Sequence, residues 1–228
     1  MDILENLLRV QDRIHGACHR AGRDPEEVRL VAVTKNVPVD RIETAMGLGL
    51  RCFGENYVQE AIPKIRVLGP EAQWHFIGHL QTNKVKNVVG SFHMIQTVDR
   101  VPLAREIDRR AAGSHPVPVL IEVSIAGEAT KSGVAPDGVA PLLQEIFRLP
   151  NLRLQGLMTM PPLFEDPEGA RPHFRALREL RDRLRAQVPP PHDLEELSMG
   201  MTGDFEVAIE EGATFVRIGT ALFGPRQA

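Results

Sequence analysis

Lys35 is the side chain with the most chemistry open to it. It follows the aliphatic run Leu30-Val31-Ala32-Val33-Thr34. Desolvation at a strand end lowers a lysine pKa and makes its amine a Schiff-base nucleophile. A lysine that simply reaches back to solvent is the plainer alternative. A second group lies late in the chain, in Leu197-Ser198-Met199-Gly200-Met201-Thr202-Gly203-Asp204 and Val216-Arg217-Ile218-Gly219-Thr220. Backbone N–H groups there, with the Ser198 and Thr220 hydroxyls, can donate to phosphate oxygens. Glycines that only permit tight turns are the alternative. Arg217 sits inside an aliphatic run, where an unpaired charge is costly, so it needs a carboxylate or a ligand heteroatom as partner. Asn56, in Phe53-Gly54-Glu55-Asn56-Tyr57, either hydrogen-bonds a ligand or caps the helix that follows.

Other polar clusters point to less. His75 and His79 are four apart but fall where a strand runs into a loop, so they do not share a face. They also lack the glutamate of a zinc-protease helix. His15 and His19 do share a helix face, with Cys18 beside them, yet a metal would need Cys18 turned suitably and no fourth ligand accompanies them. A metal is expected at neither place. The Arg178–Arg185 segment alternates charge along a helix and reads as a solvated outer face.

The elements that must position these residues alternate along the chain. Ile3, Leu4, Leu7, Leu8, Val10 and Ile14 recur with a helical period, which predicts an amphipathic first helix ending near Gly22. Strands are expected at Arg29–Thr34, Arg51–Gly54, Trp74–Gly78, Met94–Val98, Val117–Ile125, Leu154–Met160, Leu194–Met199 and Thr214–Ile218. Helices are expected between them, at Val39–Leu48, Tyr57–Val67, Thr82–Val88, Leu103–Ala112, Gly138–Leu149, Glu168–Gln187 and Phe205–Glu211. Short aliphatic strands alternating with helices argue for a parallel sheet buried on both faces. Eight of them favour an α/β fold of the (β/α)₈ TIM-barrel type, with residues 1–228 as a single domain. The N-terminal helix then packs on the outside, where the last strand has almost no helix of its own. An open doubly wound sheet is the alternative, but Lys35-Asn36-Val37-Pro38 after the first strand lacks that fold's glycine fingerprint. In such a barrel the strands' C-terminal ends carry the active site, and Lys35, Asn56, Ser198 and Thr220 all fall there.

Composition narrows the classes of function. Of 228 residues, 43% are hydrophobic and 25% charged, which excludes a disordered chain. Lys and Arg number 27 against 30 Asp and Glu, a net charge of −3, so the basic field needed for non-specific nucleic-acid binding is missing. The two cysteines, Cys18 and Cys52, make no disulfide framework and suit reduced thiols in a cytoplasm. No secretory signal or membrane-spanning run is apparent. A cytoplasmic monomer with no nucleic-acid or membrane partner is expected.

A Schiff-base lysine, a phosphate cradle and an arginine placed for a ring nitrogen together suggest a pyridoxal 5'-phosphate (PLP) pocket. A phosphosugar aldolase would use a similar lysine and cradle but has less use for the arginine. The sequence goes further, through Val31-Ala32-Val33-Thr34-Lys35, Phe53-Gly54-Glu55-Asn56-Tyr57-Val58-Gln59-Glu60, Trp74-His75-Phe76-Ile77-Gly78, Gly156-Leu157-Met158, Leu197-Ser198-Met199-Gly200-Met201 and Val216-Arg217-Ile218-Gly219-Thr220-Ala221-Leu222-Phe223-Gly224. In this order the motifs closely resemble the pyridoxal-phosphate homeostasis family, single-domain relatives of the alanine racemase barrel. The resemblance spans nearly the whole chain. Thr34, Asn36-Val37 and Thr202 depart from the family's more usual residues, and none of these changes removes a proposed ligand.

The resemblance implies a barrel that holds PLP as an internal aldimine on Lys35. It also implies that Arg217 faces the pyridine nitrogen, that Ser198, Gly219 and Thr220 hold the phosphate, and that Asn56 lies near the ring. Intracellular PLP (vitamin B6) homeostasis without catalytic turnover is the implied function, with PLP-dependent apo-enzymes as acceptors. Two features speak against the alternative, a PLP-dependent amino-acid racemase or related enzyme of low activity. The racemases take a second acid/base tyrosine from an added domain, whereas this sequence ends soon after its barrel and its only tyrosine is Tyr57. An arginine at the ring nitrogen also weakens the electron sink. Lys84 and His79 remain as candidate second bases for residual activity.

Overall fold

The computed structural model describes residues 2–127 and 132–225; the remaining termini of the expected domain lie outside them. Helix α1 (Ile3–Ala21) starts at Asp2, whose side chain accepts from Leu4 N, and stops at Gly22 with φ 64°. A positive φ is the backbone state glycine adopts without a Cβ penalty. Eight strands follow: β1 (Arg29–Val33), β2 (Cys52–Glu55), β3 (Gln73–Phe76), β4 (Met94–Val98), β5 (Val117–Glu122), β6 (Leu152–Met158), β7 (Glu196–Ser198) and β8 (Phe215–Ile218). Each pairs in parallel with the next, and β8 returns to β1 through Arg29↔Phe215, Leu30↔Val216, Val31↔Arg217 and Ala32↔Ile218. The sheet is therefore a closed barrel, and the open-sheet alternative falls.

Helices α2 (Val39–Gly47), α3 (Val58–Leu68), α4 (Val101–Ala111), α5 (Val139–Ile146), α6 (Arg171–Arg185) and α7 (Phe205–Glu210) lie between strands, and α8 (Thr220–Phe223) follows β8. Most element boundaries fall one to three residues from expectation, and one element differs in type. The segment after β3 forms a 3-10 turn, Thr82–Asn87, instead of an α-helix. Strand β5 ends at Glu122, and only an isolated Val123↔Val134 bridge continues it.

Strand alternation sorts the side chains into two cores. Leu30, Ala32, Ile95, Ile121, Leu157, Val216 and Ile218 point outward and pack under the helices. Val31, Met94, Leu120, Met158 and Phe215 point inward and fill the barrel. Arg29, ion-paired with Glu196, lies 3.8 Å over the Phe215 ring at the strands' N-terminal end.

Because α8 is only one turn long, the outer ring has a gap beside β8, and α1 fills it by packing on α7 and α8. Ile3, Leu7, Val10 and Ile14 are buried there. Each contributes roughly 1.5–3 kcal/mol. The Arg13–Glu206 and Arg20–Glu210 pairs across the same seam are 2.7 Å long but substantially exposed. Exposed pairs contribute about 0–1 kcal/mol each, so apolar burial fixes the helix and the ion pairs tune its angle. Buried Asn6 adds a 3.0 Å bond from its amide to Leu222 O. Among the described residues, no helix is long and apolar enough to cross a membrane.

Candidate functional site

Lys35 lies in the turn that leaves β1, and α3 holds the backbone on both sides of it. Lys64 Nζ donates to Thr34 O at 2.7 Å, to Glu55 Oε1 at 2.8 Å and to Glu60 Oε1 at 2.6 Å. Glu60 Oε1 in turn accepts from Asn36 N at 2.5 Å, and Thr34 Oγ1 donates to Glu55 Oε1 at 2.7 Å. The residue after the lysine, Asn36, has φ 60°, a costly conformation that this clamp holds in place. Burial raises the Glu55 pKa, against the lowering effect of its hydrogen bonds from Lys64 and Thr34.

The clamp was not read from the sequence, although a signal exists. Val58 and Ala61 bury one face of α3, and Lys64 takes the next inward position on that face. A lysine there must carry its partners inside with it.

The lysine turn opens on a cavity of about 160 Å³. Lys35, Val37 and Pro38 form one wall, and Gly219, Thr220 and Phe223 form the other. The structure thus brings together Lys35 from the first strand and Gly219-Thr220 from the eighth. A Cβ at Gly219 would lie 3.4 Å from both Cβ and O of Val33, so glycine lets the two strand ends approach closely. Ala221 N donates to Thr202 Oγ1 at 3.4 Å, tying the loop after β7 to the same wall. Arg41 enters from α2 and also lines the cavity, a contribution that the sequence reading missed.

Arg217 and Ser198 lie together inside the barrel, and neither is among the residues lining this cavity. Arg217 donates from Nη1 to Ser198 Oγ at 2.7 Å and from Nη2 to Thr159 O at 2.9 Å. Its partners are therefore a hydroxyl and a backbone carbonyl, where the sequence argument required a carboxylate or a ligand atom. Ser198 Oγ donates onward to Gln96 Oε1 at 2.6 Å, and Gln96 Nε2 meets His75 Nδ1 at 2.8 Å. His75 Nε2 lies 3.5 Å from Cys52 Sγ. The chain is consistent when each group donates in one direction, which puts the His75 proton on Nε2.

Burial, with the nearby charge of Arg29, pushes the His75 pKa down to about 3, so the ring is neutral. Burial raises the Cys52 thiol to about 12. Burial also lowers Arg217 to about 10, opposed by the charges of Asp204 and Glu122, so it stays a cation at neutral pH.

Asn56 is half-buried, and its Oδ1 is buried without a hydrogen-bond partner. The residue at the start of α3 is Tyr57, and no side chain caps that helix, so the capping alternative for Asn56 falls. A Cβ at Gly78 would lie 2.2 Å from Asn56 O, so only glycine lets the loop after β3 press the Asn56 backbone into place. Of the candidate second bases, His79 is exposed and lies 3.9 Å from Asp99, whereas Lys84 lines a separate groove with Arg66 and Lys86. Among the described residues, no three His, Cys, Asp or Glu side chains are grouped to hold a metal ion. Along Arg178–Arg185, the expected solvated face of α6, Glu179, Asp182, Arg183 and Arg185 are exposed, and half-buried Arg178 joins Arg171 and Arg175 in pairing with buried Glu211.

Comparison with known proteins agrees with this architecture. The family model described as the N-terminal domain of alanine racemase matches residues 6–227. A pyridoxal phosphate homeostasis protein of Aquifex aeolicus is 50% identical over the full length of both chains. The protein of the same name from Pseudomonas aeruginosa is 44% identical, over 98% of this chain and 96% of its own. Among solved structures, PipY of Synechococcus elongatus with PLP bound superposes with a TM-score of 0.85 at 35% identity, covering 98% of this chain and all of that one. The chain belongs to the pyridoxal phosphate homeostasis protein family, built on the barrel of the alanine racemase N-terminal domain.

Proposed function

We infer that this protein binds PLP covalently at Lys35 and serves PLP (vitamin B6) homeostasis as a carrier without catalytic turnover. The observation that carries the reading is the shared cavity of Lys35, Gly219 and Thr220, fed from opposite ends of the barrel sequence. PLP, when bound, supplies an aldehyde that an amine can capture. The residues present fit it. Lys35 presents the amine from a turn clamped by Lys64 and Glu60. Thr220 offers a hydroxyl beside it. Asn56, whose Oδ1 is a buried acceptor in need of a donor, is not among the residues lining that cavity.

Ser198, assigned to the phosphate on family resemblance, spends its hydroxyl on Arg217 and Gln96. In this structure it orients Arg217, and a part in holding phosphate would fall to its backbone. Arg217, assigned to the ring nitrogen, keeps its protons at neutral pH and offers that nitrogen no acid to share. This disfavours carbanion chemistry and supports binding over catalysis. Delivery to PLP-dependent apo-enzymes in the cytoplasm belongs to the same reading, and the free thiols Cys18 and Cys52 are compatible with it.

Titrating the protein with PLP should produce a visible band that a Lys35→Ala variant lacks. α-Proton exchange across an amino-acid panel in deuterated water should stay at the uncatalysed rate. Exchange at a catalytic rate would replace the carrier with an enzyme.

A further inference from the structure

The groove that Lys84 lines has no part in the site described above. It lies between α3 and the 3-10 turn Thr82–Asn87 and encloses about 550 Å³. Gln59, Ile62, Pro63 and Arg66 recur three and four apart, which places them on one face of α3 along the groove. A different face of the same helix carries Lys64, which clamps the Lys35 turn. Half-buried Lys84 and exposed Lys86 line the groove from the turn. Among the described residues, Arg66, Lys84 and Lys86 have no acid within ion-pair distance, and no Asp or Glu lines the groove. Many cations elsewhere on this surface are paired: Arg13 with Glu206, Arg105 with Glu145, Arg109 and Arg110 with Glu106. Here three stand together without a counter-charge.

Beneath them the groove is apolar. Ile62 and Ile65 are only partly covered by the core below, and the Pro63 ring is exposed. A proline in mid-helix has no N–H for the Gln59 carbonyl, so helix propensity does not explain its place. An apolar floor under an unpaired cationic rim is complementary to an amphipathic segment whose polar side chains are acids. The net charge of −3 does not oppose this, because screening over ~8 Å at physiological salt leaves a partner reading the local charge. A helix suits the groove better than a strand, since the barrel is closed and offers no free sheet edge. The 11 residues of α3 span roughly 16 Å, about three turns of a helix laid alongside. Among the described residues, no aromatic side chain lines the groove for bases to stack on, which disfavours single-stranded nucleic acid.

We propose that this groove is a docking surface for a partner protein, which lays the apolar face of an acidic amphipathic helix on Ile62, Pro63 and Ile65 and pairs its acids with Arg66, Lys84 and Lys86. The partner then sits on the helix whose other face clamps the Lys35 turn. The surface stands whether or not Lys35 carries PLP.

The probe is a capped peptide of about 18 residues, long enough for an isolated helix, with leucines at helical spacing and glutamates elsewhere. Titrated into the full-length ¹⁵N-labelled protein, it should bind saturably and shift the amide signals of α3 and of Thr82–Asn87. Arg66→Glu with Lys86→Glu changes two exposed side chains. It should weaken binding by about five- to a hundredfold, because two exposed pairs are lost and like charges replace them. Arg183→Glu reverses an exposed cation on α6, also without an ion pair, and should stay within about twofold of wild type. A peptide of the same composition with its leucines scrambled off one face should bind at least about tenfold more weakly. PLP titration and urea midpoints should match wild type in every variant, so failure of this surface leaves the Lys35 reading untouched. Absence of saturable binding, shifts that map elsewhere, or an equal loss in Arg183→Glu overturns the proposal. Equal binding of the scrambled peptide leaves only diffuse charge and overturns it too. A thymidine oligonucleotide that displaces the peptide and binds more tightly would reassign the groove to nucleic acid.

Discussion

Replacing Gln96 with leucine cuts the polar chain inside the barrel at its middle. Gln96 is fully buried on β4 and joins Ser198 Oγ at 2.6 Å to His75 Nδ1 at 2.8 Å. Leucine has nearly the volume of glutamine, so the cavity contribution is small and the loss reports on polar groups left unpaired. Ser198 cannot turn its hydroxyl hydrogen to Arg217, because Arg217 Nη1 already donates to that oxygen. His75 Nδ1 loses its donor, and the neutral ring is buried away from solvent. Two buried groups without partners cost about 1–3 kcal/mol each, so Gln96→Leu should destabilise by about 2–6 kcal/mol. That is a large part of the ~5–15 kcal/mol holding a domain together. Urea unfolding measures it, as a lower midpoint at unchanged m. A cycle with Ser198→Ala should then show coupling of at least ~0.5 kcal/mol, because the second change removes a group already orphaned. A Gln96→Leu protein within ~0.5 kcal/mol of wild type would refute the chain as a structural unit.

Two further perturbations probe other parts of the site. His75 is held neutral with its pKa pushed down to about 3, so the unfolded chain takes up the proton first as pH falls. Stability present above pH ~6.5 should be lost between there and pH ~3, by up to ~1.4 kcal/mol per pH unit from this group. Buried Glu55, Glu122 and Asp204, whose pKa values are raised, act in the opposite direction. They are common to wild type and a His75→Gln variant, so the difference in slope isolates the histidine; parallel pH profiles would contradict the assignment. Lys64→Met strands the Glu55 carboxylate, and removing one partner of a buried pair costs about 3–5 kcal/mol. The urea midpoint should fall accordingly, and adding Glu55→Gln should restore part of it. No recovery in the double variant would mean that Lys64 acts through something other than this charge.

The strands were legible because each is a short aliphatic run between turn residues, and α1 because its apolar side chains recur with a helical period that stops near Gly22. Closure of β8 onto β1 leaves no local trace, yet the number and brevity of the strands imply it. The polar interior was hidden for a related reason. In Met94-Ile95-Gln96-Thr97-Val98, an inward glutamine looks the same as an outward one until the barrel is closed. His75 drew notice only as a neighbour of His79, from which the structure separates it; its partners come from β2 and β4. Lys64 and Arg41 each look like an ordinary charge on an amphipathic helix, and only tertiary placement shows that one is a clamp and the other lines the cavity. Lys35, Gly219 and Thr220 were legible because the ends of barrel strands are where chemistry collects.

The central claim is that Lys35 is the residue that takes PLP. Incubating the protein with PLP, reducing with borohydride and mapping the labelled peptide tests it directly. The account predicts the reduced pyridoxyl mass on Lys35 as the principal product, absent from Lys35→Ala. A principal label on any other lysine, Lys64 and Lys84 included, would contradict it.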